Sequence, residues 1–244
     1  MESLIQRTLA ACMILLCTAT SGEAIAGQIT QNASNTAPIL ITHFGPASPY
    51  GSEITVANLH GQITDVTVTL NGITHTFPDD IEVLLVAPSG QKIKLMSDVG
   101  GATDLRNVSL SFSGSSSAKL PDSAAIAAGT YLPSDTVEGD PLPSPAPAAP
   151  YSMDMFTLNG PAQNGIWRLY VADDMSGDTG QIAGGWTLSI TSEGFDSCAA
   201  EGYGGSQYAL CRQICEADRS RSQGLNGLLN AWSKQFGTRP PCMD

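Results

Sequence analysis

Five aspartates in two short segments of the chain have the chemistry and spacing of cation ligands. They are Asp79, Asp80, Asp173, Asp174 and Asp178. In the first segment Pro78 interrupts a strand and leaves two adjacent carboxylates at a bend. In the second segment, DDMSGDTG, glycines let the chain curl so that its carboxylates converge. Because Ca²⁺ takes about six to eight oxygen ligands, we predict a calcium site, with solvated turns as the alternative.

The elements that must position these carboxylates are strands. Between Ile63 and Met96 two runs alternate apolar and polar residues, which is the period of strands with one face on a core. The segments IWRLYV and WTLSI alternate in the same way, which makes Trp167 and Trp186 predicted core residues. Short strands separated by turns predict an all-β fold, an antiparallel jelly-roll β-sandwich.

The first 26 residues are not expected to belong to this sandwich. An apolar run from Leu9 to Cys17 and the small residues before Gly27 predict a secretory signal peptide over residues 1–26. Residues 27–37 are polar and aperiodic, and predict a loose leader. No later segment approaches the roughly 18 apolar residues of a membrane span. We therefore expect a secreted protein, located in the periplasm, outside the cell or at the cell surface.

Charge excludes two classes of partner. The chain has 11 Lys and Arg residues against 23 Asp and Glu residues, and its formal net charge is −12. Such a chain cannot supply the basic stripe that nucleic acid requires, and anionic membranes are excluded for the same reason. The acidic balance suits divalent cations instead.

Four cysteines fall in the last part of the chain, residues 193–244. They are Cys198, Cys211, Cys215 and Cys242. In an exported chain they predict two disulfides with three possible connectivities, and a four-thiolate zinc site is the alternative. The segments SQYALCRQICEADRS and LNGLLNAWSKQF carry apolar residues at helical spacing. We therefore predict two short helices held together by disulfides.

Residues 142–150, LPSPAPAAP, contain four prolines and must be extended. One interpretation is a stiff loop that covers a sheet edge. The other is a peptide ligand for a proline-binding module.

Two segments, GITHTFPDDIEVLLVAPSGQKIKL and NGIWRLYVADDMSGDTGQIAGGWTLSI, resemble the P domain of proprotein convertases and its bacterial jelly-roll relatives. The resemblance covers residues 38–192. The matching positions are His75, Thr76, Phe77, Asp80, Pro88, Gly90, Asn164, Gly165, Trp167, Asp173, Gly177, Asp178, Gly180 and Trp186.

The resemblance implies a jelly roll that has no catalytic activity of its own and accompanies a subtilisin-like unit. It also implies calcium near the two motifs, which adds weight to Asp80 as a ligand. His75 is expected to be a structural histidine that hydrogen-bonds across the strand turn, because no nucleophile partner is evident.

These observations leave three functional hypotheses. The first is a non-catalytic, calcium-stabilised module that binds an extracellular protein or glycan. The second is an accessory domain for a separately encoded secreted serine protease. The third, an enzyme in its own right, lacks a recognisable catalytic carboxylate pair or triad.

Overall fold

The computed structural model describes residues 27–137, 139–194, 198, 203, 205–219, 224–237 and 240. The predicted signal peptide lies outside these residues. The described strands are β1 Gly27–Asn35, β2 Ile39–Ile41, β3 Gly45–Pro46, β4 Ser52–Val56, β5 Gln62–His75, β6 Ile81–Val86, β7 Lys92–Ser97, β8 Leu105–Ser113, β9 Gly129–Tyr131, β10 Ser134–Asp135, β11 Gly160–Pro161, β12 Gly165–Asp173, β13 Gly180–Ile182 and β14 Trp186–Gly194. The 3-10 helices are Pro78–Asp80 and Met155–Leu158.

The strands form two sheets. The first sheet runs in the order β1, β14, β5, β13, β2, and it also contains β8, β9 and β11. The second runs β10, β7, β6, β12, β3, with β4 also paired to β12. The prediction of an all-β sandwich is confirmed. The sheets are mixed rather than purely antiparallel, because β10 pairs parallel to β7 and β9 pairs parallel to β8.

The core lies between the sheets and follows the alternation of the sequence. On β5 the residues Val66, Val68 and Leu70 are buried, whereas the threonines between them are partly exposed. Trp167 on β12 and Trp186 on β14 are fully buried, which confirms their predicted place in the core. The indole nitrogen of Trp186 donates to Ser52 Oγ at 2.9 Å, so its polar atom is satisfied.

The second sheet is buried on its outer face as well. Val83 and Leu85 of β6 point into the main core, whereas Leu84 packs with Tyr170 in a separate apolar cluster. Leu142 and Ala146, in the proline-rich segment, complete that cluster. The segment therefore covers the outer face of the sheet rather than its edge alone, since Ser152 just after it exchanges backbone hydrogen bonds with Lys92 and Lys94 at the edge of β7. Its proline content suits this role, because an extended chain can lie across several strands.

The predicted loose leader is wrong for residues 27–35, which form β1. All nine residues pair antiparallel with β14, from Gly27 opposite Gly194 to Asn35 opposite Trp186. Hydroxyl contacts support this pairing, since Thr30 Oγ1 lies 2.9 Å from Thr191 Oγ1. The segment lacks an apolar stripe because it lies at the edge of the sheet, where most of its side chains face solvent.

The predicted helical tail is present as α1 Gly205–Arg219 and α2 Leu225–Phe236. Gly237 ends α2 in the left-handed conformation, with φ 68°, a conformation that glycine adopts without steric cost. Trp232 is buried beside Cys211 and Ile214 in a small core of its own. None of the helices in the described part of the chain has the length and apolarity to cross a membrane.

One disulfide of the tail joins Cys198 to Cys211. Cys215 is disulfide-bonded as well, and its sulfur lies 3.6 Å from that of Cys198. Cys242 lies outside the described residues. The structure therefore supports disulfides rather than a four-thiolate zinc site at these cysteines, because a sulfur in a disulfide is not a thiolate ligand.

We predict that Gly180→Ala strongly destabilises the sandwich. A Cβ at Gly180 would lie 2.0 Å from Thr74 O and 2.6 Å from His75 Cδ2, so β13 would have to move away from β5. The expected loss is about 1 to 3 kcal/mol or more, read from urea unfolding.

Gly227→Ala in α2 is the matched control for this substitution. Its Cβ would meet no atom within 4 Å, and alanine is favoured over glycine inside a helix by up to about 1 kcal/mol. Equal effects of the two substitutions would contradict the close approach of β13 to β5.

Candidate cation site at one end of the sandwich

Both predicted acidic segments lie at one end of the sandwich, which we call the loop end. It comprises the segments 76–80 after β5, 98–104 after β7 and 174–179 after β12, together with Asp140. Two of these segments adjoin neighbouring strands of the second sheet, since segment 174–179 follows Asp173 of β12, segment 76–80 precedes Ile81 of β6, and Asp173 is paired with Ile81. The sheet register therefore brings together carboxylates that are distant in the sequence.

A buried histidine and aspartate join the two sheets beneath the loop end. His75 Nε2, at the end of β5, lies 3.1 Å from Asp173 Oδ2, at the end of β12, and both side chains are 0% exposed. His75 Nδ1 lies 2.9 Å from the backbone oxygen of Phe77. This contact confirms the expectation that His75 hydrogen-bonds across the strand turn. Asp173 Oδ1 accepts a hydrogen bond from the Met175 backbone, so both oxygens of this carboxylate already have partners.

Asp80 lies close to the other four predicted aspartates. Burial first, and then the neighbouring negative charges with that of Asp173 largest, raise the pKa of its carboxyl to about 6. The Asp80 backbone oxygen also accepts a hydrogen bond from Asp174 N at 3.0 Å, which ties the two acidic segments together. Asp178 Oδ1 accepts a hydrogen bond of 2.6 Å from Thr76 Oγ1.

A tighter group of carboxylates lies beside these residues, and we call it the acidic cluster. It consists of Glu82, Asp98, Asp140 and Asp174, each of which offers one oxygen within 4.8 Å of the others. Glu82 is buried on β6, while the other three come from separate loops. Such a convergence of oxygens from a strand and three loops is a geometry that can hold a hard divalent cation.

The hydrogen bonds of the acidic cluster cannot all be made at once. Ser97 Oγ lies 2.7 Å from Glu82 Oε1 and 2.8 Å from Asp98 Oδ2. A hydroxyl has one proton to donate, so it can satisfy one of these two oxygens at a time. The other oxygen can be satisfied by water, by a proton or by a cation.

The raised pKa values of these carboxyls also favour a bound cation. Burial raises the pKa of Glu82 to about 7, although the Ser97 hydrogen bond and Lys94 act against the rise. Burial is also the main cause that raises the pKa of Asp98 and of Asp174, and further carboxylates add to both shifts. Each shift means that the ionised carboxylate is under-stabilised where it lies. A bound cation would remove that cost.

The structure thus places the five predicted ligands in two environments. Asp174 belongs to the acidic cluster, whereas Asp79, Asp80, Asp173 and Asp178 stand beside it. Their assignment as metal ligands stays a prediction. Sequence reasoning missed Glu82, Asp98 and Asp140. Glu82 carried a signal, because a carboxylate inside an otherwise apolar strand requires a buried partner. Asp140 carried none, since it lies in the irregular segment that follows β10.

Comparison with known proteins gives a distant likeness in fold. No family profile and no curated protein matches the chain. The crystal structure of the Aeromonas sobria serine protease in complex with its chaperone matches at 15% identity and a TM-score of 0.35. The crystal structure of the serine protease of Aeromonas sobria matches at 14% identity and a TM-score of 0.33. Each match covers 68% of this chain but 27% of the other chain, and neither indicates an activity.

The raised pKa values predict how stability depends on pH when a chelator removes divalent cations. A carboxyl whose pKa is higher in the folded state than in the unfolded state binds its proton more tightly when folded, so stability falls as the pH rises. For Asp80 and Glu82 the fall is expected between about pH 4 and pH 7.

Urea midpoints measured across this pH range test that prediction. Asp80→Asn should make the urea midpoint fall less between about pH 4 and pH 6, because the asparagine side chain does not bind a proton in this range. Asp104→Asn, at a loop carboxylate paired with the exposed Arg106, is the control and should keep the decline. A wild-type midpoint that rises throughout this range would contradict the assignment.

Proposed function

We propose that the protein is a non-catalytic, exported β-sandwich module that is stabilised by Ca²⁺ at the acidic cluster and that acts by binding a partner outside the cell. The observation that carries the proposal is the convergence of Glu82, Asp98, Asp140 and Asp174 within 4.8 Å. Mutual repulsion at this spacing destabilises the loop end unless a cation is bound.

The donor set suits calcium. Carboxylate oxygens are hard ligands, and loops that also offer backbone oxygens can complete the roughly six to eight contacts that Ca²⁺ takes. Asp98, Asp140 and Asp174 would supply the carboxylate ligands. Glu82 would form the inner wall of the site, because its oxygens face Ser97 and Lys94. Lys94 is the one basic side chain among the described residues that is ion-paired to the cluster, and it cannot neutralise four carboxylates.

The environment of His75 supports a non-catalytic role. The ring is fully buried, and its two nitrogens contact Asp173 and the backbone of Phe77. A histidine that acts as a general base needs a nitrogen within reach of the substrate. His75 therefore serves to join the two sheets, as the resemblance to a non-catalytic domain implies.

The tail disulfide supports the proposal that the protein is exported, and the loops of the sandwich support the proposal that it binds a partner. The Cys198–Cys211 disulfide suits an oxidising compartment, in agreement with the predicted signal peptide at residues 1–26. Loops at the end of a rigid sandwich suit recognition of a protein or glycan.

The P-domain motif favours a second candidate, an accessory role beside a separately encoded serine protease, because His75, Asp173 and Gly180 of that motif meet at one place in the structure.

Thermal unfolding tests the calcium site. At a free Ca²⁺ concentration about 100 times the dissociation constant, binding to the native state adds about 2.7 kcal/mol, which corresponds to a rise of about 5 to 10 °C in the Tm over that in chelator. Asp174→Asn should abolish most of this rise, because it removes a carboxylate of the cluster. Asp104→Asn, outside the cluster, should retain it. Identical melts of the wild-type protein in calcium and in chelator would refute the proposal.

Partner capture separates the two candidate functions. The protein, immobilised with calcium or with chelator, would be exposed to the extracellular fraction of its own source. Calcium-dependent retention of a serine protease would favour the accessory role, and retention of a surface glycan or another protein would favour the general binding module.

A further inference from the structure

Strand β1 presents a free backbone edge along its whole length. It is the outermost strand of the first sheet, and its nine residues, Gly27–Asn35, pair on one side with β14 without a shift in register. Within the described part of the chain, the backbone groups that point away from β14 form no hydrogen bond. Gln28, Ile29 and Thr30 at the start of the strand are exposed. An edge of this kind is a template on which another strand can pair.

The other edge strands carry the features that prevent such pairing. Strands β2, β3, β9, β10 and β11 have two or three residues each, and β3 and β11 contain a proline. The part of β8 beyond β9 carries Arg106 and two register shifts. Strand β4 carries the charged Glu53, and the side-chain amides of Asn35 and Gln31 donate to the backbone oxygens of Glu53 and Ala57. Short length, proline, charge and bulges all protect the edges of natural sheets.

Strand β1 has none of these protective features. Its sequence, GQITQNASN, contains no charged residue and no proline. The whole chain has a formal net charge of −12, so two copies repel each other over most of their surface. The uncharged edge is a place where a second copy meets no such repulsion. A partner selected by its charge would find no charge on β1 to recognise.

We propose that two copies of this chain form a dimer through β1, with the two strands antiparallel about a two-fold axis at Gln31. This register pairs all nine residues of each strand, from Gly27 opposite Asn35 of the second copy to Asn35 opposite its Gly27. The first sheets of the two copies become one continuous sheet, and every second residue pair exchanges two backbone hydrogen bonds. The contact uses the same surface on both copies, so assembly ends at the dimer.

The side chains match in this register. Ile29 and Ala33 share one face of β1, because they are four residues apart, and Ala33 packs against the core beside Leu188. Ile29 is nevertheless 40% exposed, because β1 is the outermost strand. Across the axis Ile29 lies opposite Ala33 of the second copy, so an apolar side chain gains an apolar neighbour. On the other face Thr30 lies opposite Asn32 of the second copy, and both are polar.

Strand β1 is held in place before a second copy binds. Ser34 Oγ lies 3.0 Å from Thr187 Oγ1 of β14, in the first sheet. Asn35 Nδ2 donates to Ser52 Oγ of β4 at 3.2 Å, which ties β1 to the second sheet. Because the edge is already ordered, it loses little conformational freedom on pairing.

The dimer goes beyond the proposed function, because no residue of β1 belongs to the acidic cluster. It should therefore form with calcium and with chelator alike. Absence of calcium binding would leave the dimer intact, and absence of the dimer would leave the calcium melts to decide the proposed function.

Sedimentation velocity of the purified wild-type protein tests the dimer. Over a series of concentrations, in calcium and in chelator, the protein should shift from monomer to dimer and should form no larger species. A monomer at every concentration up to the solubility limit would overturn the proposal.

Charge variants test the strand and its register. Thr30→Asp with Asn32→Asp, and separately Thr30→Lys with Asn32→Lys, each place like charges opposite one another twice across the axis, which disfavours pairing. Each double variant should be monomeric on its own. An equimolar mixture should dimerise again, because opposite charges then face each other, and native mass spectrometry should show one chain of each variant in the dimer. Misfolded chains would not give this mixed dimer.

Gln181→Asp with Ala183→Asp is the matched control. These residues are exposed and two positions apart, like Thr30 and Asn32, but they lie on and directly after β13, which has a neighbouring strand on each side. This variant should remain dimeric. Dimers of either β1 double variant on its own, or a mixture that stays monomeric, would overturn the pairing through β1.

Discussion

The buried contact between His75 and Asp173 is the constraint on which the loop end depends. It joins the last residue of β5 in the first sheet to the last residue of β12 in the second, in a place with no access to solvent. Because a buried polar group is costly to leave without its hydrogen-bond partner, the contact holds the ends of both strands at the same level. Gly180 lies against the ring, where no larger residue fits, so β13 is fixed as well. The loops that follow these strands therefore start from defined positions.

Fixed loop origins explain how a cluster of like charges is tolerated. The chain directs Asp98, Asp140 and Asp174 towards Glu82, although each carboxylate disfavours the others. A sandwich with a large apolar core can carry such a local cost, because the alternation on β5, β12 and β14 supplies most of its stability. The cost is concentrated where a cation can relieve it. The buried ionisable groups of Lys94 and Glu82 and the proline-rich segment lie on the same outer face of the second sheet.

Much of the fold was predictable because burial imposes a period on the sequence. The alternation of apolar and polar residues around Val68 and Trp186 predicts the strands. Apolar residues at helical spacing around Cys211, and again around Trp232, predict the two helices of the tail. The edge strand β1 was not predictable in this way, since an edge with its side chains in solvent needs no apolar period. The covering of Leu84 left a trace in the sequence, an apolar residue on the face expected to be polar, but nothing showed that the proline-rich segment was its partner.

The site was predictable only in part, for a related reason. Aspartates that are adjacent in sequence, such as Asp173 and Asp174, can be recognised as a segment with ligand chemistry. Yet the two have different partners, because Asp173 is the last residue of β12 and contacts His75, whereas Asp174 begins the loop that follows and joins the acidic cluster. Asp140 joins the cluster through the path of a long irregular loop, and neither periodicity nor spacing encodes such a path. Register and loop geometry, rather than composition, decide which carboxylates meet.

Calcium binding measured by isothermal titration calorimetry on the purified, chelator-treated protein tests the central claim most directly. Saturable binding with one strong site per chain, lost in Asp174→Asn and retained in Asp104→Asn, is the result that the acidic cluster predicts. No saturable calcium binding by the folded wild-type protein, at concentrations up to those of extracellular fluids, would contradict the account and leave the carboxylates of the loop end as solvated turn residues.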